Sequence, residues 1–340
     1  MKINSNLDAP STIRSWQFPP VLDARTIAII FFTFLVLVQS GRSVEVSRML
    51  ELTTDAVMAW VGMDVDSQVA RGVHKIGISL FPLQFEESTE TNRIEGFRRD
   101  DIPWLSHIEI IESQSQRLNP ETLQLEGTLQ TTEVLVHPYG YLWRIISKLV
   151  ETLEIAIWGT FIAVIISAPL AFFSAANLAP HKFVYMTARA VVSLLRAVPE
   201  LISALFLVMA YGFGPIAGVL ALALHSAGFL GKFYAEDIEN ADIKSQEALR
   251  AIGANKLKIL RYAILPEVFP QYIAYTLYVL DRNVRMATVI GIVGAGGIGQ
   301  ELKGRFDMFN YQHVGTILIA IFIMVFVIDQ LAARLRQRYL

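Results

Sequence analysis

The strongest constraint on this chain is a series of apolar runs too long to leave exposed to water. A helix needs about 20 mostly apolar residues to cross a bilayer, because the hydrocarbon core is roughly 30 Å thick. Six stretches approach that length: 21–39 (apolar centre 27–38), 153–176, 197–211, 214–230, 268–293 and 314–331. The third follows residues 183–196, where Arg189 and Arg196 point to a slanted interfacial helix that runs into a proline kink at Pro199. The fifth is interrupted by charge. Composition agrees, with 53% of 340 residues hydrophobic, 18% charged and a mean hydropathy of +0.44. The expected fold class is all-α, a polytopic membrane protein with about six transmembrane helices. No clear small-residue cleavage site trails the first run, so it reads as a retained anchor rather than a signal peptide, short enough also to lie at the interface.

Basic residues set the orientation. Lys2, Arg14 and Arg25 precede the apolar centre of the first run, Lys182 and Arg189 precede the third, and Arg334, Arg336 and Arg338 follow the last. Lys232, Lys244, Arg250, Lys256, Lys258 and Arg261 lie between the fourth and fifth runs. Six spans place all four groups on one side, the cytoplasm, with both termini there. Between the first two spans, Val46, Met49, Leu50, Val57, Met58 and Trp60 recur at helical spacing within 43–81, and Pro82 ends the pattern. Further on, 123–126 and 131–136 alternate like strands, with a turn at Asn119-Pro120. A small extracytoplasmic insert with some β structure is expected. The domain reading is 1–40 for the N-terminus and first span, 41–148 for the extracytoplasmic region, and 149–340 for the membrane core.

The connection 232–266 carries the clearest signal. Residues 245–262 read as two short helices at the membrane surface: Glu247, Ala248 and Leu249 open them, Gly253 interrupts them, and Leu265-Pro266 closes them. A glycine inside a helical stretch costs about 1 kcal/mol against alanine, so a sharp turn or a close backbone approach is expected there. Pro266 then starts the fifth span, where its missing N–H is harmless.

Glu247-Ala248-Leu249, Gly253 and Leu265-Pro266 resemble, in type and spacing, the "EAA…G…LP" loop of ABC-importer permeases. Leu249 and Ala263 depart from it mildly. The resemblance extends to the phosphonate permease subfamily through Glu151-Thr152-Leu153 with Gly159-Thr160, and through Arg196-Ala197-Val198-Pro199-Glu200. Gly212-Phe213-Gly214-Pro215, then His225, Gly228, Gly231-Lys232, Asn283-Val284-Arg285 and 293–299 continue it. It runs from about Glu151 to the C-terminus and leaves 85–138 unexplained. It implies a type I importer permease fold in a bacterial inner membrane, with a coupling helix at about 245–264 that docks on an ATPase. It also implies uptake of phosphonate, phosphite or phosphate by a homodimer of this chain, two ATPase subunits and an extracytoplasmic binding protein. ATP and magnesium would sit in the ATPase, and this chain would hold no cofactor or metal. Rival readings are a same-fold permease for another solute such as methionine, and a membrane-anchored sensor or enzyme using 41–150.

Charge inside a span is costly and marks function by default. Asp281 and Arg285 stand four apart on the fifth span and can face each other. Either Arg285 attracts an oxyanion in the pathway, with Asp281 orienting it and Asn283 beside it, or the pair is structural, at a dimer seam or a bend in the helix. Glu200 and Arg196 read as an interfacial pair or a gate contact. His225 reads as a hydrogen-bonded core histidine or a substrate ligand, and Asp329 as a partner of Arg334 or the interface.

Gly294, Gly296 and Gly299 fit a dinucleotide glycine pattern, but they follow a membrane helix rather than a strand. With Gly297 they read as a glycine-rich turn joining spans five and six. There is no cysteine, which excludes disulfides and thiolate metal sites, and no phosphate-binding loop of the Gly-x-x-x-x-Gly-Lys-Ser/Thr form. Basic residues cluster at membrane boundaries, which gives nucleic-acid binding no support.

Overall fold

The computed structural model describes residues 24–339, except 64, 95, 100, 101, 104 and 119–124. The chain divides into two compact units, Met1–Gly77 and Ile78–Leu340. The first contains α1 (Ala24–Ser43), α2 (Val46–Trp60) and most of α3 (Gln68–Leu80). α1 is apolar enough to span, and none of its apolar window is buried by protein. The helical periodicity of 43–81 becomes two helices, the second ending just before Pro82.

The second unit opens with a three-stranded antiparallel sheet. Its strands are β1 (Glu87–Glu90), β2 (His107–Leu118) and β3 (Leu125–His137), in the order β1-β3-β2. Glu87 pairs with His137, and His107 with Val136. The expected strand at 131–136 lies within β3. The turn expected at Asn119-Pro120, and part of the strand expected at 123–126, fall outside the described residues. β2 carries little alternation over Ser113-Gln114-Ser115-Gln116, and it forms because β3 supplies a hydrogen-bonding partner along its whole length.

The bundle follows: α4 (Gly140–Ser174), α5 (Lys182–Ala197), α6 (Glu200–Tyr211), α7 (Pro215–Asn240), α8 (Ile243–Ala251), α9 (Lys256–Ile259), a π-helical stretch (Leu260–Ile264), α10 (Leu265–Gly291), α11 (Gly297–Asp307) and α12 (Tyr311–Tyr339). α4 and α7 pack against each other along a seam of small buried residues, among them Ala156, Ala163, Ala221 and Ala227. Lipid offers no hydrophobic drive for helix association, so small residues that permit close van der Waals contact hold such a seam. At Gly159 a Cβ would come within 2.9 Å of Leu222 Cβ.

Among the described residues four helices are long and apolar enough to cross a membrane: α1, α4, α7 and α12. The expected third span is a broken one, α5 and α6 meeting at 88°. Pro199 sits at the break, where it cannot donate a backbone hydrogen bond. The expected fifth span is α10, 27 residues long, with Asp281, Arg282 and Arg285 in its second half. It packs against α4, α7 and α12, which shelter it from lipid.

The sheet and the 232–266 connection lie at opposite ends of α4, whose 35 residues span roughly 50 Å. At the first end, the Tyr141 N–H donates to the Phe85 carbonyl at 3.2 Å and Arg144 pairs with Glu87 at 2.9 Å. At the other, Lys256 Nζ donates to the carbonyls of Leu178 and Ala179 at 3.1 and 3.0 Å.

The glycine-rich stretch is more than a turn. It reverses the chain over residues 292–296 and passes at once into α11, which the sequence reading did not contain. Gly294 and Gly296 have φ of +94° and +86°, left-handed values that side chains disfavour. At Gly299 a Cβ would stand 2.0 Å from the Thr288 carbonyl oxygen and 3.0 Å from Gly291 Cα, both backbone atoms. Gly299→Ala should therefore destabilise the fold by about 1–3 kcal/mol, read as a lower Tm in detergent. Gly304→Ala, with nothing within 4 Å of the added carbon, should leave Tm unchanged or raise it. Equal effects at the two positions would refute the packing role.

Candidate functional site

Three groups of polar residues stand out in the second unit. The first is the connection between α7 and α10. Asp242 caps α8, its carboxylate accepting from the Lys244 N–H at 3.1 Å and from the Ser245 hydroxyl at 3.0 Å. Those bonds to the charged form hold its carboxyl below the usual aspartate value. The Asp242 N–H in turn donates to both Glu267 oxygens at 3.1 Å, joining the start of α8 to the start of α10. Gly253 has φ +84° and no atom within 4 Å of an added Cβ, so the turn, rather than a close approach, requires glycine there. Pro266 lies in the first turn of α10, directly after Leu265. Glu247, Ala248 and Gly253 are exposed, and Glu247 has no ion pair among the described residues. Beside them the structure exposes Ile252 (80%) and Leu257 (64%), which the sequence reading missed. Their signal was an apolar side chain on a surface whose other residues are charged.

The second group lies inside the bundle, where α10 meets the α5–α6 break. Glu200 bonds Arg282, not Arg196 as the sequence reading had it. Pro199 turns the chain between Arg196 and Glu200, and the 88° bend removes the one-turn proximity that a continuous helix would give. Arg282 also donates to His225 Nε2 at 2.9 Å, while His225 Nδ1–H donates to the Val198 carbonyl at 3.1 Å. An Nε2 that accepts and an Nδ1 that donates describe a neutral ring. His225 thereby ties α7 to the last residues before the break. Arg196 instead stacks over Phe229 at 5.0 Å, opposite claims on the same ring coming from Arg282 at 4.7 Å. Gly228 makes room, since a Cβ there would fall 2.8 Å from Arg196 Cγ. Arg196 Nε is buried without a partner among the described residues.

One turn along α10, Arg285 grips Asp281 with two bonds of 2.6 and 3.2 Å. Asp281 is nearly buried, its side chain 6% exposed, whereas that of Arg285 is 45% exposed. The pair thus presents one cationic group at the surface of the bundle. Asn283 faces the other way. It accepts from Ser226 at 3.0 Å and donates to Thr160 at 2.9 Å, joining α10, α7 and α4 in the core. Asp329, expected to pair with Arg334 or to meet the interface, is half-buried on α12 and has no ion pair among the described residues, while Arg334 is exposed.

The third group clamps α11. Glu151 Oε1 accepts from the Gly297 N–H at 3.0 Å, and Thr152 Oγ1 from the Ile298 N–H at 2.8 Å. A carboxylate and a hydroxyl on α4 therefore satisfy the free amides of α11 and complement its dipole. Lys148 holds the other Glu151 oxygen at 2.6 Å.

A broken span, charges paired within the bundle and a capped helical hairpin at one end define the membrane subunit of a transporter. Residues 155–340 match the family described as "Binding-protein-dependent transport system inner membrane component". HtxE of Stutzerimonas stutzeri, a protein named for phosphite transport, is 59% identical over 259 residues, covering 76% of this chain and 99% of HtxE. The phosphite transport system permease protein PtxC of the same organism is 46% identical over 194 residues, 57% of this chain and 70% of PtxC. The phosphate-import permease protein PhnE of Mycolicibacterium smegmatis is 42% identical over 188 residues, 55% of this chain and 35% of PhnE. Among solved structures, the methionine transporter MetNI in an inward-facing form superposes with a TM-score of 0.52 at 24% identity, over 58% of this chain and 97% of that one, a likeness of fold. The chain belongs to the family of binding-protein-dependent transport system inner membrane components, and is a multi-pass permease subunit of an ABC importer. Proteins of this class work with an ATPase and a solute-binding protein.

Removing Arg282 strands the Glu200 carboxylate inside the bundle. Arg282→Gln should lower stability by about 3 kcal/mol, and adding Glu200→Gln should recover most of that. Thermal unfolding of the unsubstituted protein, the two single variants and the double variant in detergent measures it, and purely additive effects would show that the two side chains do not interact.

Proposed function

We propose that this chain is the pathway-forming subunit of an importer for phosphonate or a related phosphorus oxyanion, phosphite or phosphate. The observation that carries the reading is the 59% identity, across 99% of its length, to a protein named for phosphite transport. The charge on the bundle surface agrees with it. Arg285 offers a planar fork of donors that matches a tetrahedral oxyanion, and Asp281 holds that fork in place through two bonds.

In this reading α8 and α9 form the coupling element, with Glu247, Ala248, Ile252, Gly253 and Leu257 presented to the ATPase. Leu265 and Pro266 carry its movement into α10. ATP and magnesium are bound by the ATPase, and its closure tips the spans between outward and inward openings. Each state is favoured only as far as nucleotide and solute bind it better. Both termini face the cytoplasm, and the sheet end faces the binding protein. A second copy of this chain completes the pathway. HtxE and HtxC, both of Stutzerimonas stutzeri and both similar to this chain, make a related second permease the other arrangement to test.

Arg285→Ala should reduce phosphite or phosphonate uptake by roughly 10-fold or more, the loss of one charge-assisted hydrogen bond. Uptake per permease in native membranes, with methionine and phosphate as competitors, measures it. Undiminished uptake would assign the pair to structure alone. Gly253→Trp should abolish co-purification of the ATPase while the permease still reaches the membrane. Retention of an active ATPase on that variant would remove the coupling role.

A further inference from the structure

An apolar groove of about 440 Å³ opens between α4, α7 and the beginning of α10. That volume lies within the range of ligand cavities, roughly 300–1,000 Å³. Val164, Ala168 and Phe172 form one wall, Tyr234 the back, and Phe269 and Tyr272 the other wall. The polar atoms among its lining are already satisfied. The Tyr234 hydroxyl donates to Thr276 at 2.7 Å, Thr276 to the Tyr272 carbonyl at 2.8 Å, and the Tyr272 hydroxyl to the Tyr234 carbonyl at 2.8 Å. Nothing there asks for water, and an apolar cavity of this kind favours an apolar occupant.

The mouth has a different chemistry. Leu260 and Leu265 line the groove, and the segment that supplies them also carries Lys258 and Arg261. Both cations are exposed and neither has a carboxylate partner among the described residues. Tyr262, 65% exposed, lies beside Arg261 at 5.7 Å, the kind of aromatic and cationic pair that suits a headgroup region. An apolar slot in a membrane span, with unpaired cations at its interfacial end, is complementary to an anionic phospholipid.

We propose that this groove holds an acyl chain of one anionic phospholipid, whose headgroup phosphate rests on Lys258 and Arg261. The lipid would bridge the coupling segment to α4 and α10, making force transfer dependent on lipid charge. The proposal is independent of which solute is imported.

The test uses the full permease in nanodiscs of phosphatidylcholine with or without phosphatidylglycerol of the same chains. Native mass spectrometry should find one retained phosphatidylglycerol per permease. Ala168→Trp, which fills the groove from an exposed position, should reduce that retention at least 10-fold. Lys258→Gln with Arg261→Gln should abolish the preference for phosphatidylglycerol. Unchanged retention in Ala168→Trp, or unchanged preference in the double variant, overturns the proposal. Should Ala168→Trp fail to fold, a second measurement decides. The chain has no cysteine, so Phe269→Cys carries a single photoreactive label in the groove wall. Adducts to phosphatidylglycerol support the proposal, and adducts to a peptide from a transmembrane helix overturn it.

Discussion

Hydrocarbon cannot solvate a charge or a free backbone amide, and the second unit is organised around that constraint. α10 carries Asp281, Arg282 and Arg285 in a helix packed among the apolar helices α4, α7 and α12. Its charges are matched within the protein: Arg282 to Glu200 and His225, Arg285 to Asp281. Such pairs do not stabilise much in themselves, because desolvation offsets most of the attraction. Their effect is to make one arrangement of helices far better than any other, since a displaced α10 would leave bare charge in apolar surroundings.

The broken span follows from the same constraint. At Pro199 the chain gives up helical hydrogen bonds, which lipid would not replace. The carbonyl of Val198 is taken by His225 from α7, and Glu200 is taken by Arg282 from α10. The break is thus stitched to two helices at once. Just beyond the C-terminal end of α10, the free amides of α11 meet Glu151 and Thr152 from α4. In both places irregular backbone occurs only where another helix supplies its partners. The bundle can therefore rearrange only by moving helices together.

Much was legible in the sequence because it rested on local rules. Apolar runs marked the spans by length. Gly253 and Pro266 marked the turn and the restart by conformations that those residues alone favour. The Asp281–Arg285 pair followed from four-residue spacing on one helix. The readings that failed assumed straightness. Arg196 and Glu200 stand one turn apart only if the helix continues through Pro199, and it does not. Four glycines within 294–299 read as a turn because glycine is a poor helix former, yet α11 begins at Gly297. Thr288 and Gly291 approach so closely there that any larger residue at Gly299 would collide.

Sequence by itself determined that this chain lives in a membrane, and where its apolar runs and the turn at Gly253 lie. These depend on the solvent and on residues within a turn or two of one another. Only the tertiary structure decided the partners of Glu200, of Arg196 and of the α11 amides, the last pairing residues 146 positions apart. Contacts at that range are set by which helix faces meet. In a low-dielectric bundle that choice is made by mutual satisfaction of polar groups, a property that no single segment of the chain carries.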